Sequence, residues 1–362
     1  MINNTVNFIL NFCIFIVIFA FQIIKPKITR KEIYFGIRVP ENERDSALLK
    51  KVYKNYIVLN TAVFAILIII MYIFLNYYAS IEYTVLILLY LLFTLIIYIF
   101  SNKKVLIIKK QIVTIDTSFS KDKGTKTLVS PWWFLVPVLI ISITFYIGFK
   151  YYKLLPEIVP THWDFAGEIN GNMMKSSKII YAMPKFQIVI FIISFVSYKI
   201  IGWGKQQLNT SNPEQSKQKN KRFRYIWSGY MVFAATIMNL LFLYANLIIF
   251  QVAQFSTKLM IIMLIIIIGI LVGVSIALSI LTGQGGSRLK IKDNMTTHGK
   301  MLDRNDDKYW RFGIFYINKE DPTIFIEKRF GVGWTVNLGR AVGILLGSGV
   351  VIAVLMLPYI LN

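Results

Sequence analysis

Long apolar runs separated by short polar stretches extend along the whole of this chain. A helix needs about 20 mostly apolar residues to cross the roughly 30 Å hydrocarbon layer of a bilayer. The runs are continuously apolar and do not alternate, so they predict membrane-spanning helices and not the strands of a barrel. Eight spans are predicted, at residues 4–24, 56–76, 82–100, 132–151, 183–201, 226–250, 259–282 and 340–361. The pattern therefore predicts an all-α integral membrane bundle.

The polar stretches between the runs divide the chain into segments. Residues 202–224 contain the Asn, Gln and Ser that are typical of a flexible linker. The predicted organisation is three helices with two basic loops (1–130), a helix pair enclosing a polar loop at 154–184 (131–201), the linker (202–224), a second helix pair (225–282), a polar segment (283–338) and the last helix (339–362).

One of these polar segments contains strand signals. Tyr309–Ile317 and Thr323–Phe330 are rich in aromatic and β-branched residues, and they flank the turn sequence Asn318–Pro322. Pairing of the two runs predicts a small β-hairpin at 309–330, just before the last helix. Trp310, Phe312, Ile314 and Tyr316 would alternate onto one apolar face of it.

Lysine and arginine are concentrated in alternate loops. Residues 25–55, 101–130, 199–224 and 283–340 carry 34 of the 40 basic residues. Cytoplasmic loops of membrane proteins carry an excess of Lys and Arg, so these four stretches are predicted to face the cytoplasm. Both termini and residues 154–184 are then predicted to be extracytoplasmic, in a multi-pass protein of the plasma membrane.

Composition excludes a water-soluble globule. The chain is 56% hydrophobic with a mean hydropathy of +0.59, and its 16% of charged residues is below the roughly 25% that soluble domains carry. The net charge of +22 is spread over four loops instead of one folded module, which disfavours binding to nucleic acid. Attraction to the bilayer, whose inner leaflet is anionic, is the expected partner interaction.

Within the predicted spans, the central polar residues are amides and not charged groups. Asn239 and Asn246 are two helical turns apart and share a face, which favours hydrogen bonds between helices, with a substrate path as the alternative. Gly339, Gly343 and Gly347 repeat every four residues along the last span. Such a stripe lets another helix approach closely, either in the same chain or in an oligomer.

The polar loop at 154–184 contains the candidate chemistry. Pro156 and Pro160 predict an extended exit from the preceding helix, while Gly167 and Gly171 are expected at positive φ in tight turns. His162, Asp164 and Glu168 are three potential metal ligands, but their spacing matches no strong zinc pattern. We therefore predict ligand recognition here, without a catalytic residue, metal or cofactor. The candidate recognition residues are Pro156, Pro160, His162, Trp163, Asp164, Gly167, Glu168 and Gly171.

Three stretches carry a family resemblance. LPEIVPTHWDFAGEINGNMMK, from Leu155 to Lys175, resembles the extracytoplasmic LPxxIPxHxxxxGxxxG signature of a bacterial membrane protein family of unknown function, related to SdpI-type immunity proteins. YFGIRVP, from Tyr34 to Pro40, looks like the FGIRxP segment of SdpI-type proteins, and residues 309–340 are similar to a small uncharacterised C-terminal domain. Asn170 stands where the signature often has Asp.

The resemblance implies a non-enzymatic bacterial membrane protein that gives immunity to, or senses, extracellular antimicrobial peptides or envelope stress. It also implies an extracellular peptide ligand and a cytoplasmic protein partner. Two alternatives stay open: a transporter of a small neutral or lipidic substrate, and a metal-dependent membrane enzyme that uses His162, Asp164 and Glu168.

Overall fold

Seven long helices make up most of the fold. The computed structural model describes residues 2–30, 32–40, 43–77, 83–110, 128–164, 167–206, 213–254, 256–290, 306–349 and 352. The helices are α1 (Ile2–Ile28), α2 (Ala47–Tyr77), α3 (Tyr83–Lys110), α4 (Leu135–Tyr151), α5 (Ala182–Trp203), α6 (Pro213–Ile249) and α7 (Thr257–Thr282). Each contains a stretch long and apolar enough to cross a membrane.

The exposed surface of these helices is apolar, which is compatible with contact with lipid. Leu88 on α3, Leu139 on α4 and Ile193 on α5 are each about 60% exposed, and none of the apolar window of α7 is buried. Water-soluble proteins rarely expose apolar area on this scale. The predicted eighth span lies mostly outside the described residues, since the structure describes a helix only at 341–349 and residue 352.

In the part of the chain that the structure describes, short strands pair in four two-stranded antiparallel sheets. They are β1 (Ile33–Tyr34) with β2 (Ile37–Arg38), β3 (Ile158–Trp163) with β4 (Ile169–Met174), β5 (Trp310–Arg311) with β6 (Phe315–Tyr316), and β7 (Phe325–Glu327) with β8 (Trp334–Val336). The first sheet precedes α2, the second joins α4 to α5, and the last two follow α7.

The chain divides into two compact units. The first contains the start of α1, Leu128–Ile201 and Tyr225–Ala277. The second contains the rest of the first three helices, Gly202–Arg224 and the chain from Leu278 onward. The core of the second unit is aromatic: Phe35 lies against Tyr56 and Tyr98, with ring centroids 4.9 and 6.1 Å apart.

The predicted linker at 202–224 is wrong over most of its described length. α6 begins at Pro213, a residue suited to the first turn of a helix, and continues without a break to Ile249. Two polar side chains of this stretch are buried: Asn220 donates to Glu327 Oε1 at 2.6 Å, and Arg224 donates to the Gly204 carbonyl at 2.5 Å. Tertiary hydrogen bonds therefore stabilise a helix in a sequence whose composition is typical of a linker.

β-Structure before the last helix is confirmed, but the predicted pairing within 309–330 is wrong. The first predicted strand folds on itself as β5 and β6, because Phe312 and Gly313 adopt positive φ and turn the chain. The second run contributes β7, which pairs with β8 across a turn that contains Gly331 and Gly333, both at positive φ. The predicted apolar face is interrupted by the first turn, so Trp310 and Tyr316 are buried while Phe312 is exposed.

The glycine stripe of the last helix lies against the chain's own backbone. A Cβ on Gly339 would lie 2.5 Å from the Asn318 carbonyl carbon, and one on Gly343 would lie 2.0 Å from the Asn337 oxygen. These glycines let residues 318 and 337 approach the helix start. An oligomer formed through Gly339, Gly343 and Gly347 stays a prediction.

Candidate functional site

All the predicted recognition residues lie on one structure, the β3–β4 hairpin between α4 and α5. β3 and β4 pair in antiparallel register, with Ile158 opposite Met174, Val159 opposite Met173 and His162 opposite Gly171. Pro156 precedes β3, Pro160 and His162 lie within it, and Trp163 ends it. The prolines therefore produce the extended backbone that the sequence predicted.

The base of the hairpin is anchored on apolar side chains. Val159 is fully buried in a cluster with Leu155, Ile179, Ile180 and Phe250. Opposite this face, Ile158 and Met174 are 61% and 82% exposed. The hairpin thus has one face fixed to the ends of α4, α5 and α6 and one apolar face that the described residues leave uncovered.

Lys175 ties the two ends of the segment together. Its Nζ donates to the carbonyls of Lys153 (3.0 Å) and Leu155 (2.6 Å), where the chain leaves α4. The same ammonium lies 5.6 Å from the centre of the Tyr152 ring. Bonds to two carbonyls and contact with a ring face make a lysine well suited to this position.

The tip of the hairpin is a hydrogen-bonded turn. The Asp164 carboxylate accepts the Glu168 N–H at 2.9 Å, the Asp164 N–H donates to the Glu168 carbonyl at 2.9 Å, and Gly167 adopts φ +89°. The His162 ring nitrogen Nδ1 contacts Asn170 Oδ1. The turn is thus held by the side chains of two candidate ligands, Asp164 and His162, and by the backbone of the third, Glu168.

Gly171 is not a turn residue, contrary to prediction. It lies within β4, opposite His162, and its φ is not positive. A Cβ there would lie 2.8 Å from the His162 Cβ. Glycine is needed at this place for close packing across the strands and not for a special φ.

The metal hypothesis gains no support from this geometry. Over the described residues, no group of three or more His, Cys, Asp or Glu side chains is arranged to hold a metal ion. Asp164 uses one oxygen on the Glu168 N–H, while His162 and Glu168 are exposed.

The two outer edges of the hairpin differ in hydrogen-bonding capacity. Lys175 N–H donates to the Glu157 carbonyl at 2.7 Å, which makes that pair a hydrogen-bonded one. Pairs alternate along an antiparallel ladder, so the backbone groups of residues 156, 158 and 160 on β3, and of 172 and 174 on β4, point away from the partner strand. Pro156 and Pro160 have no N–H, so over residues 156–160 this edge keeps only the Ile158 donor, while Asn172 and Met174 both keep theirs on the β4 edge.

A second polar cluster, in the other unit, joins the YFGIRVP segment to the C-terminal strands. Buried Arg329 donates to Asp306 and Asp307, and Arg38 Nε donates to Asp306 at 3.4 Å. Burial alone would raise the pKa of Asp307, but Arg329 and Lys109 outweigh it and hold the pKa below its ordinary value.

Glu327, which is fully buried on β7, joins the C-terminal strands to Arg30, just after α1, and to α6. Its Oε2 accepts from Arg30 at 2.5 Å and its Oε1 from Asn220 on α6 at 2.6 Å. In the sequence, these charges were interpreted as signals of membrane orientation. It was not predicted that several of them form ion pairs with one another in the fold. The Asp306–Asp307 pair beside basic residues was the available signal.

A third cluster lies among the helices of the first unit. Gln187 on α5 donates to Thr144 Oγ1 on α4 at 3.0 Å and to the Asn239 carbonyl on α6 at 2.9 Å, and Asn246 donates to the Thr144 carbonyl at 3.2 Å. The predicted hydrogen bond between helices is confirmed for Asn246, whereas the Asn239 side chain donates within its own helix, to the Ala235 carbonyl at 2.7 Å. The side-chain oxygens of Gln187, Asn239 and Asn246 are buried and accept no hydrogen bond from the described residues.

Comparison with known families finds two matches of short length. Residues 139–191, which contain the β3–β4 hairpin, match a domain of unknown function, DUF1648. Residues 319–344, which contain β7 and β8, match a family of unknown function, DUF5808. Neither a curated protein nor a solved structure matches the chain. The matches are consistent with an uncharacterised membrane protein family.

Proposed function

We propose that this chain is a non-enzymatic, multi-pass protein of the bacterial plasma membrane that binds an extracellular peptide through the β3–β4 hairpin. Its role would be immunity to, or sensing of, antimicrobial peptides, as in the SdpI-type proteins that its signature resembles. The single observation that carries the proposal is the open β4 edge, where the outward backbone groups of Asn172 and Met174 lie beside exposed apolar side chains.

The edge suggests how a peptide would bind. An extended peptide can add a strand to an exposed sheet edge, with main-chain hydrogen bonds supplying affinity and side-chain contacts supplying specificity. An unprotected edge is also a hazard for aggregation, which proteins commonly reduce with proline or charge. Pro156 and Pro160 protect β3 in this way, whereas β4 has no proline. Binding at β4 gives a reason for that asymmetry.

Orientation is the second element of the proposal. The basic stretches predict a hairpin outside the cell and a cytoplasmic location for residues 25–55, 101–130, 199–224 and 283–340. Trp132 and Trp133, which precede α4, are 74% and 60% exposed, as expected for residues at the membrane–water boundary. The buried ionic cluster around Arg329 and Glu327 would then stabilise a cytoplasmic face able to bind a protein partner.

A matched pair of substitutions tests the proposal. The gene is deleted, the sensitivity of the strain to a panel of secreted toxins and envelope-active peptides is measured, and wild type or a variant is restored. Met174→Pro removes an outward donor from the β4 edge without removing a ladder bond, while Ile158→Pro makes the same change in the opposite residue on β3.

Deletion is expected to increase sensitivity to at least one peptide. Wild type and the Ile158→Pro variant should restore resistance, and Met174→Pro should not, at equal protein levels in the membrane. Unchanged sensitivity across the panel would count against immunity. Equal rescue by both variants would count against strand addition at β4.

Transport of a small neutral substrate is a second candidate function, favoured by the unpaired amide oxygens of Gln187, Asn239 and Asn246. An unsatisfied buried acceptor costs about 1–3 kcal/mol, so a hydrogen-bond donor would bind favourably there. Uptake into proteoliposomes that is lost in the Asn239→Ala, Asn246→Ala double variant would favour this function over recognition.

A further inference from the structure

A basic cavity lies in the second unit, at the ends of several membrane-spanning helices. Its volume is about 750 Å³, which is within the range of small-molecule sites. The charged side chains that line it are Lys27, Arg44, Lys219, Arg288, Lys290 and Asp45. Among the described residues, five cations therefore share the cavity with one carboxylate.

The single carboxylate does not neutralise the cavity. Asp45 is largely exposed, and its Oδ1 lies 3.5 Å from the ammonium of Lys50, outside the lining. Like charges brought together repel one another, and the repulsion is strongest where water is displaced by protein. A bound anion would remove this cost and gain charge-assisted hydrogen bonds.

Two of the cations have a structural role. Arg44 donates to the Pro26 carbonyl at 3.3 Å and Arg288 to the Lys27 carbonyl at 2.8 Å, so both satisfy carbonyls at the end of α1. Bonds to carbonyls fix the two guanidinium groups but cancel none of their charge. The two arginines are thus held at the cavity in advance of any ligand.

Lys219 and Lys290 differ, because no hydrogen bond or ion pair joins either side chain to the described residues. Lys219 lies about two turns into α6, and Lys290 follows the candidate membrane span Lys258–Gly286, which contains nearly all of α7. An ammonium group with three donors and no protein acceptor is suited to a phosphate oxygen.

We propose that this cavity binds a phosphate-bearing anion, with Lys219 and Lys290 as ligands and Arg44 and Arg288 as fixed positive charges. Lys27 is in the last turn of α1 and Arg44 shortly precedes α2, which places the cavity at the level of lipid headgroups on the basic side of the bundle. A phospholipid headgroup and a soluble phosphorylated compound share this chemistry. The site is independent of peptide binding at the β3–β4 hairpin.

The test uses the purified full-length chain and follows its thermal unfolding. In one arm, inorganic pyrophosphate is titrated into protein in a neutral detergent, against sodium chloride of equal ionic strength. In the other arm, nanodiscs of phosphatidylcholine are compared with nanodiscs that also contain phosphatidylglycerol. The test variant is Lys219→Ala, Lys290→Ala. The control is Lys103→Ala, Lys104→Ala, which removes equal charge from exposed positions on α3 outside the cavity.

We expect the unfolding temperature of wild type and control to rise in at least one arm. The test variant should lose the phosphatidylglycerol effect or need at least about tenfold more pyrophosphate, since each lost charge-assisted contact weakens binding by that order. A rise in unfolding temperature with pyrophosphate alone identifies a soluble ligand. A rise with phosphatidylglycerol alone identifies a lipid headgroup. No rise in either arm, or equal rises in the test variant and the control, would overturn the proposal. Should the test variant fail to fold, the Lys219→Arg, Lys290→Arg variant is used in its place. It keeps both charges, so the proposal requires it to keep the rise in unfolding temperature.

Discussion

At the scale of single residues, buried polar side chains fix the C-terminal segment. Asn337 is fully buried, and both ends of its amide are used. Its Nδ2 donates to the carbonyls of Asn318 (2.8 Å), Asp321 (3.1 Å) and Thr323 (3.1 Å), while its Oδ1 accepts the N–H groups of Asn318 and Gly339. The hydrogen bonds of this one side chain thus replace the backbone hydrogen bonds that the two predicted strands would have formed with each other. Local sequence patterns could not reveal this replacement.

Removal of this amide should destabilise the second unit. Asn337→Ala leaves several buried backbone groups without partners, so we expect the free energy of unfolding to fall by about 3 kcal/mol. Asn172→Ala, at an exposed position of β4, is the control and should change it by less than about 0.5 kcal/mol. Thermal or denaturant unfolding in detergent measures both. Similar stability for the two variants would show that the Asn337 bonds contribute little.

Acid should weaken the same segment through Asp321. Burial alone would raise the pKa of this carboxyl, but hydrogen bonds from Lys205 (2.6 Å) and Thr323 outweigh it and lower the pKa from 3.8 to about 2. A carboxyl whose pKa is lowered by folding stabilises the fold above its unfolded pKa and loses that contribution as the pH falls through the folded value. The stabilising effect should therefore be complete above about pH 4 and lost by about pH 2.

Comparison with Asp321→Asn isolates this contribution. At neutral pH the variant should unfold at a lower temperature than wild type, and the difference should shrink as the pH falls from about 4 to about 2. A difference that is constant over this range would mean that the charge of Asp321 has no part in stability.

At the scale of elements, two short hairpins pack turn against turn. Phe35 and Gly36 join β1 to β2, Phe312 and Gly313 follow β5, and all four have positive φ. A Cβ on Gly313 would lie 2.5 Å from the Gly36 Cα. The bulky Phe35 is held in this unfavourable conformation by hydrogen bonds to its carbonyl from Asn102 (2.7 Å) and Tyr98 (3.1 Å).

Substitution of these glycines separates backbone strain from close packing. Gly313→Ala introduces both a left-handed alanine and a clash with Gly36, so we expect a loss of about 2–4 kcal/mol. Gly331 also has positive φ (+83°), and its Cβ position meets only Lys25 Cγ, at an ordinary contact distance of 3.8 Å, so Gly331→Ala should cost only about 1 kcal/mol from strain. Equal losses in unfolding experiments would indicate that the contact between the turns is unimportant.

The elements also show what the sequence could and could not predict. Continuous apolar runs predicted the seven described spans because burial in lipid needs only local composition. The prolines around β3 predicted its extended backbone, since proline fixes φ without regard to context. The α6 start, the pairing of β5 with β6 and the role of Gly171 were predicted wrongly, because each depends on contacts with residues distant in sequence: Glu327 for Asn220, Gly36 for Gly313, and His162 for Gly171.

At the scale of the whole molecule, the proposals depend on orientation. Basic residues are concentrated in the stretches that contain the phosphate-binding cavity and the Arg329 cluster, whereas the segment with the β3–β4 hairpin carries few. The hairpin must face outward to meet an extracellular peptide, and the cavity must face inward to meet the inner leaflet or a cytoplasmic phosphate. If the chain had the opposite orientation in the membrane, neither the proposal of peptide binding nor that of phosphate binding would keep its basis.

Labelling of cysteines in intact cells tests this orientation directly. Cys13 is the chain's one cysteine, so Cys13→Ser provides a background for two single variants, Glu168→Cys at the tip of the hairpin and Lys104→Cys near the end of α3, both at exposed positions. A membrane-impermeant maleimide should label Glu168→Cys in intact cells, and Lys104→Cys only after permeabilisation. Labelling of Lys104→Cys but not Glu168→Cys in intact cells would contradict an extracellular hairpin and, with it, peptide recognition at β4.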